Sequence, residues 1–440
     1  MKKLIALLTC IMISLTGCAK IESSFYTNAL AVAEYPERVP YPTADVNDNE
    51  LYRKQYDAWR NSNSEIRSLE TDKSGNADYV KKLVSAVIED DGENKVMSPA
   101  NIYFALAMLC ECTDGNTRAQ ILDLLGKSDI ESIRKNTPLL WQKMYKNDGV
   151  DKSVLANSLW LNDDHAKDYN QNTFDTLKNK YFASAYSGDF NDEQYKQQIR
   201  DWINEQTGGL LKEQAQKLEF NPETVLALVS TLYFKAPWDF EFIKENNKEL
   251  TFHAANGDVK TEFMNGGGTG TVYYSDKFLS ASKTFKDGRM HFILPNEEYT
   301  VSDLLKDQKA LDLIAGNYDS VESKDAMVLL TIPKFDISFD TDIIEPLQKL
   351  GVTDAFEVGT ANFNPVGNIV DMYVNSAKHA ARVKVDEVGV EGAAYTVIVA
   401  EGGAMQPPPD TVDFVADRPF IFVVTGVDNL PLFVGVVNNI

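Results

Sequence analysis

This sequence has little positive charge and few cysteines or histidines. Its 440 residues carry 43 Lys and Arg against 65 Asp and Glu, a formal net charge of −22, with four Cys and four His. Nucleic acid is therefore not an expected partner, because neutralising phosphates takes clustered Lys and Arg. The hydrophobic share of 44% provides for a real core, and we interpret the acidity as a source of solubility.

The sequence also lacks the signatures of an enzyme. It contains no Gly-x-Ser-x-Gly elbow and no His-Glu-x-x-His motif, and its histidines stand in different segments without a nucleophile partner. The glycine-rich run 266–270 lacks the spacing and the following Lys-Ser/Thr of a phosphate loop, so it predicts a flexible loop between strands. We expect no enzymatic activity, no cofactor and no metal site.

Residues 1–17 predict a lipoprotein signal peptide. Two lysines precede the apolar run Leu4–Leu15, which is too short for a mature membrane span and closes on Leu-Thr-Gly-Cys. That ending resembles the lipobox of bacterial lipoproteins, which implies acylation of Cys18; the alternative is an ordinary signal peptide with an incidental cysteine. The resemblance implies an extracytoplasmic protein, lipid-anchored to a bacterial membrane at the periplasmic face or the cell surface.

Residues 18–73 are polar and predict a tether with one weak helix near Glu50–Leu69. Residues 74–440 show no internal repeat and no second linker, so they predict one domain. Helical periodicity begins at Asn76 and continues over Ser98–Cys112 and Thr117–Leu125. Strand-like runs follow: Val154–Leu161, Thr224–Phe234, Met290–Leu294, Met327–Ile337, Ala380–Val385, Val390–Val399, Phe420–Thr425 and Leu432–Val437. We infer an α+β fold with a large antiparallel or mixed sheet and helices on one side.

The segment Glu387–Ala400 has the composition of a strand that could slot into a sheet. One face is small or β-branched and nearly uncharged, and the opposite face carries Glu391 and Glu401. An ordinary permanent strand would show the same alternation. The following stretch, Gly402–Pro409, has no strand character and favours an exposed, protease-accessible loop.

Several stretches, in the correct order along the chain, resemble the serpin family of protease inhibitors. Glu387–Thr396 is similar to the family's hinge, in which a glutamate pair and glycine precede small residues. The other similar stretches are Lys95–Pro99, Ala156–Trp160, Trp202–Asn204, Leu228–Trp238, Ile332–Phe335, Asp417–Phe420 and Phe433–Val437. The resemblance implies the serpin fold: a large central mixed or antiparallel sheet, smaller sheets, about eight or nine helices, and an exposed reactive-centre loop at about residues 387–410.

The resemblance further implies a suicide substrate. A target serine or cysteine endopeptidase attacks the loop and forms an acyl-enzyme, and the cleaved loop then inserts into the central sheet. The hinge residues carried over are Glu387, Gly389, Val390, Glu391, Gly392, Ala393, Ala394 and Thr396. A salt bridge is implied between Lys334 and Glu387, with Trp238 near the insertion point. The residues implied for the cluster that lets the sheet part are Ser98, Asn101, Ser230, Trp238 and His379.

Some positions depart from the family pattern. Asn101 stands where the family has Ser, and Ser230 where it has Asn, so we hypothesise a swapped hydrogen-bond pair. The hinge departs at Val390, Gly392 and Tyr395. None of these is a charge or a proline, the changes that would favour a non-inhibitory relative.

The family's usual loop length predicts the scissile bond after Gly403, with Ala404 and Met405 as alternatives. Small residues favour elastase-like targets and Met favours chymotrypsin-like ones, while the absence of a nearby Arg or Lys argues against trypsin-like ones. The alternative function is that of a non-inhibitory serpin acting as a surface binding protein. We expect a monomer.

Overall fold

Two β-sheets, with helices packed on them, form the fold. The computed structural model describes residues 28–44, 49–220, 224–391, 410–425 and 430–440. The helices in these residues are α1 Asn49–Arg67, α2 Asn76–Val87, α3 Pro99–Cys112, α4 Gly115–Leu124, α5 Ile130–Met144, α6 Gln171–Tyr181, α7 Glu193–Gln206, α8 Lys212–Gln216, α9 Val301–Leu304, α10 Gln308–Ile314 and α11 Ile344–Lys349.

The strands are, in chain order, β1 Ala29–Ala31, β2 Lys95–Met97, β3 Lys146–Asn147, β4 Lys152–Asn162, β5 Ala183–Gly188, β6 Leu226–Pro237, β7 Lys248–Ala254, β8 Gly257–Tyr274, β9 Phe278–Phe285, β10 Gly288–Pro295, β11 Glu322–Pro333, β12 Phe335–Asp342, β13 Lys378–Val385, β14 Gly389–Val390, β15 Thr411–Val415, β16 Phe420–Thr425 and β17 Pro431–Val437.

The first sheet carries the predicted hinge. Its strand order is β1-β5-β4-β6-β14-β13-β12, with β3 added on β4. The β4–β5 pair is parallel, and the other described pairs are antiparallel. Among the described residues, only the two-residue strand β14 joins β6 to β13 by ladder pairing. In the described residues, β6 and β13 are therefore connected through β14 at the Pro237 end of β6, and no strand connects them along the rest of their length.

The second sheet has the order β15-β11-β8-β9-β10-β16-β17-β2, with β7 added on β8. The glycine-rich run 266–270 lies inside β8 and pairs with β11, so the prediction of a flexible loop there was wrong. Neighbouring side chains approach two of these glycines: a Cβ on Gly266 would lie 3.0 Å from the Phe242 ring, and one on Gly267 would lie 3.2 Å from Leu329. Glycine is tolerated in a strand where a neighbour approaches this closely.

Helix α3 lies behind the first sheet and supports the site. Its N-cap is Ser98, whose hydroxyl accepts a 3.1 Å hydrogen bond from the N–H of Asn101, and Pro99 occupies the first helical turn. Both residue types are favoured at these positions. Every residue of the helix except Ala105 is buried, which identifies it as a core helix.

Part of the predicted tether packs on the body of the protein. Strand β1 pairs with β5, and α1 occupies most of the region in which a weak helix was expected. Tyr41 and Trp59 are buried, and Lys286 Nζ lies 3.6 and 3.9 Å from their ring centroids. The Trp59 indole N–H also donates a 2.9 Å bond to Asp148. These cation–π and hydrogen-bond contacts explain why a polar stretch folds here.

Residues 1–17 and Cys18 lie outside the described residues. Within the described ranges, no helix combines the length and hydropathy needed to cross a bilayer.

Cys110 and Cys112 are buried free thiols in α3, and burial raises the pKa of both. They serve as packing residues, as expected of buried thiols in apolar surroundings.

Candidate functional site

The first two inserted residues of the hinge form β14. Gly389 pairs with Pro237 and Val390 with Ala236 on the β6 side, while Val390 also faces Val385 on the β13 side. Val390 is 2% exposed and belongs to the main core. A Cβ on Gly389 would lie 2.3 Å from the Ala236 carbonyl oxygen. Only glycine permits this approach of the hinge to β6.

Backbone and indole bonds fix the chain that leads into β14. The N–H of Trp238 donates to the Val388 carbonyl at 2.9 Å, and its indole N–H donates to the Asp386 carbonyl at 3.0 Å. The N–H of Phe242 donates to the Glu387 carbonyl at 2.9 Å. The segment 386–390 is therefore held from one side by the residues that directly follow β6.

Lys334 and Glu387 form an ion pair beside these bonds. Lys334 Nζ lies 2.6 Å from Glu387 Oε1, and the Asn247 amide donates to the same oxygen at 2.6 Å. Glu262 also contacts Lys334, at 2.5 Å. Burial acts to raise the pKa of Glu387, but the bonds from Lys334 and Asn247 outweigh it and hold that pKa below its usual value. The carboxylate is thus charged and paired at neutral pH.

Glu391 is the last described residue of the hinge, and its backbone is not extended. Its φ is 72°, in the left-handed region that non-glycine residues seldom occupy. Its N–H donates to the Lys384 carbonyl at 2.6 Å, and its Oε1 accepts a 3.1 Å bond from the Tyr233 hydroxyl. Burial raises the pKa of Glu391 to about 7.

Below β14, the two strands stand apart. A cavity of about 620 Å³ is lined by residues 226–231 of β6 and 378–380 of β13, together with residues of α7, α8 and the segment 217–220. Within the described part of the chain, no ladder pair bridges β6 and β13 along this opening. The unpaired strand edges on both sides present backbone groups that another strand could satisfy.

Four of the predicted sheet-opening residues meet at the floor of this opening. The Asn101 amide donates to the Ser230 carbonyl at 2.9 Å, and the Ser230 hydroxyl lies in hydrogen-bond contact with Asn101 Oδ1. That hydroxyl also lies 2.7 Å from Asn157 Oδ1. One hydroxyl proton can serve only one of these two acceptors at a time. The swapped pair hypothesised from the sequence corresponds to this direct contact between Asn101 and Ser230.

His379 links α3 to β13 across the same region. Its Nε2 accepts a 3.0 Å bond from the N–H of Ser98, so the ring proton sits on Nδ1 when the imidazole is neutral. Burial lowers the pKa of His379 to about 4. Trp238, predicted as a member of this cluster, lies instead at the hinge end of β6, since eight residues of extended strand span roughly 25 Å.

The predicted residues therefore fall into two groups. The hinge group contains Lys334, Glu387, Gly389, Val390, Glu391 and Trp238, and the floor group contains Ser98, Asn101, Ser230 and His379. Eight further calls lie outside the described residues: Cys18, Gly392, Ala393, Ala394, Thr396, Gly403, Ala404 and Met405.

Sequence reasoning missed several residues that complete the two groups. Asn157 and Tyr233 lie in two of the stretches that resemble the family, Ala156–Trp160 and Leu228–Trp238, but neither residue was predicted to be functional. Asn247 and Glu262, which contact the ion pair, belong to a region without a recognised motif. The register of β4 with β6 places Asn157 opposite Ser230, and the loop after β6 places Asn247 beside Glu387. Neither relation can be read from the sequence.

Comparison with known proteins is consistent with this geometry. A family model described as "Serpin (serine protease inhibitor)" matches residues 74–440. The alpha-1-antitrypsin-like protein GS55-MS of Ictidomys tridecemlineatus is 30% identical over 361 residues, covering 80% of this chain and 84% of that protein. The leukocyte elastase inhibitor of Bos taurus is 29% identical over 349 residues, covering 75% and 89% of the two chains.

The fold is also similar to a solved structure. The crystal structure of tengpin, a thermophilic protein in its native state, aligns with a TM-score of 0.73 and 26% identity. The alignment covers 84% of this chain and 96% of that chain.

Proposed function

Because this chain belongs to the serpin family of serine protease inhibitors, we propose that it is a suicide-substrate inhibitor that traps serine endopeptidases. The supporting observation is the opening between β6 and β13, which the hinge enters at one end through β14. A strand inserted there would satisfy two unpaired edges at once. The proposed activity is stoichiometric inhibition, in which the inhibitor is consumed, and it is therefore distinct from catalysis.

The proposed trapping step starts with attack on the loop. The protease serine forms an ester with the residue before the scissile bond, the peptide bond breaks, and the leaving amine takes up a proton. The freed hinge then continues from Val390 into the opening. About ten new ladder hydrogen bonds at roughly 1 kcal/mol net each would favour this insertion. Fifteen inserted residues would displace the bound protease by about 50 Å.

We propose elastase-like or chymotrypsin-like targets. The candidate bonds follow Gly403, Ala404 or Met405, which are small or apolar residues, and no Lys or Arg is near them. The similarity to a relative named leukocyte elastase inhibitor supports the same choice. Cysteine endopeptidases form acyl-enzymes as well and remain within the proposal.

We further propose that the protein acts as a lipid-anchored monomer outside the cytoplasm. The apolar run Leu4–Leu15 followed by Cys18 supports acylation. Metabolic labelling with a palmitate analogue tests it: the chain should incorporate label, and Cys18→Ala should abolish it. Equal labelling of the variant would contradict the anchor.

Incubation with pancreatic elastase and with chymotrypsin tests the inhibitory function. We expect an SDS-stable covalent complex with at least one of them, and mass spectrometry of the released C-terminal peptide will identify the scissile bond. The matched control is Val390→Arg, since an unpaired charge at this buried position opposes insertion. It should be cleaved without forming the complex. Cleavage of the wild-type chain without a complex would contradict inhibition and favour a surface binding protein.

A further inference from the structure

Strand β14 ends at Val390, and the next residue, Glu391, has a backbone that is not extended. Insertion past Val390 requires an extended backbone at Glu391, yet its φ is 72°. The left-handed region costs a non-glycine residue energy that surrounding contacts must offset. The contacts that hold Glu391 in place therefore also keep the hinge docked.

Glu391 makes two hydrogen bonds in this conformation, of which the backbone bond to Lys384 continues the register of the Val385–Val390 pair and would persist in an extended strand. The Tyr233 hydroxyl donates to its Oε1 at 3.1 Å, and its N–H donates to the Lys384 carbonyl at 2.6 Å. Its second carboxyl oxygen is buried and has no hydrogen-bond partner among the described residues. A carboxylate with an unpaired buried oxygen is unfavourable, whereas a neutral carboxyl group tolerates the site better.

We propose that Glu391 is a positioning residue of the trapping mechanism: its contact with Tyr233 keeps the hinge docked between β6 and β13, and protonation of its carboxyl group strengthens this hold. The inference rests on the proposed function, because docking of the hinge matters only if the loop later inserts.

The surroundings of Glu391 determine the direction of the pH effect. Lys152 of β4, Lys235 of β6, and Lys384 and Arg382 of β13 are the charged groups that interact with it, and Tyr233 is the remaining titratable neighbour. The lysines act to lower its pKa, but burial outweighs them and raises that pKa to about 7. Burial and the adjacent Glu391 raise the pKa of Tyr233 to about 12, so the phenol remains a donor at neutral pH.

The direction of the pH effect follows from the linkage between proton binding by Glu391 and docking of the hinge. A glutamate released to solvent titrates near its ordinary pKa of about 4.3, so the kinked, docked conformer binds the proton more tightly than the released one. The extra stability of the docked hinge is full below that value, declines as the pH rises, and is lost above about 7. Between pH 6 and pH 8, the ratio of docked to released hinge should fall by up to about tenfold.

Hydrogen exchange on the unreacted full-length chain tests this inference. The protection factor of residues 386–391, corrected for the intrinsic effect of pH, should be up to about tenfold higher at pH 6 than at pH 8. Glu391→Gln keeps an acceptor for Tyr233 without a charge, so its protection should stay high at both values. Glu391→Ala and Tyr233→Phe should lose protection at both values, and only the glutamine variant should restore it.

A matched control lies four residues earlier. Glu387 has a lowered pKa and is charged at both pH 6 and pH 8, so Glu387→Gln should reduce protection without changing its pH dependence. An identical pH dependence in wild type and Glu391→Gln would overturn the inference. Since no protease is present, this result is separable from failure of the inhibitory function, which the covalent-complex assay reports.

Discussion

At the hinge end, β6 and β13 are joined through β14, whereas near Ser230 the same two strands line a cavity of about 620 Å³. The joined end depends on backbone bonds and on the close approach of Gly389 to Ala236. The open end depends on side chains, with Asn101 and Ser230 bonded across the floor. Backbone pairing is specific in register, but side-chain bonds can exchange partners. The proposed insertion would therefore have a fixed starting point at β14 and an adaptable path beyond it.

Gly389→Ala should have the largest effect on the joined end. Its Cβ would meet backbone atoms at 2.3 and 2.8 Å, which cannot move as a side chain would. We expect a cost of about 3 kcal/mol to the docked hinge, seen as loss of hydrogen-exchange protection at residues 386–391. The matched control is Gly268→Ala in β8, where a Cβ would have no neighbour within 4 Å. Equal losses in both variants would show that the close approach is unimportant.

The open end is tested by a double-mutant cycle on Asn101→Ala and Ser230→Ala. Because the two side chains bond each other and Asn101 also bonds the Ser230 carbonyl, we expect a coupling free energy of about 1–2 kcal/mol in urea unfolding. Asn116→Ala paired with Ser230→Ala is the control cycle, since Asn116 bonds Asp354 at a distant, exposed site. Additive effects of the first pair would contradict a direct bond between Asn101 and Ser230.

The smallest expected effect is that of the ion pair between Lys334 and Glu387. Both groups are partly exposed, so Lys334→Met should weaken hinge docking by only about 1 kcal/mol at pH 7. The pKa of Glu387 is lowered, so this contribution is present above the usual glutamate pKa and disappears as the pH falls through the lowered value. Exchange protection of residues 386–391 measures both statements. A variant effect that persists unchanged in strong acid would contradict the assignment.

Much of the fold could be predicted from the sequence because its signals are local. The run Phe420–Thr425 is apolar up to its final threonine and becomes β16 with the predicted ends. Ser98 as N-cap and Pro99 as first helical residue mark the start of α3, as these residue types commonly do. The run Met327–Ile337 was predicted as one strand, but it contributes to two strands, β11 and β12. The strands are separated at Lys334, the residue that contacts Glu387.

The features that could not be predicted depend on distant partners. The packing of Trp59 requires Lys286, more than two hundred residues later in the chain. The glycine run in β8 is a strand because it pairs with β11, which lies more than fifty residues later in the chain. The contact between Tyr233 of β6 and Glu391, the residue after β14, joins segments whose proximity no local pattern specifies. The position of the hinge was predictable from its residues, but the pairing of Gly389 and Val390 with β6 was not.

The central claim, that the opening between β6 and β13 accepts the cleaved loop, is tested most directly by thermal unfolding before and after cleavage. A limited digest with elastase should cut the loop, and the cleaved chain should unfold at least about 10 °C higher at the same scan rate, because the inserted strand adds ladder bonds on both sides. Val390→Arg, cut in the same way, should show no such rise. An unchanged midpoint in the fully cleaved wild-type chain would contradict insertion.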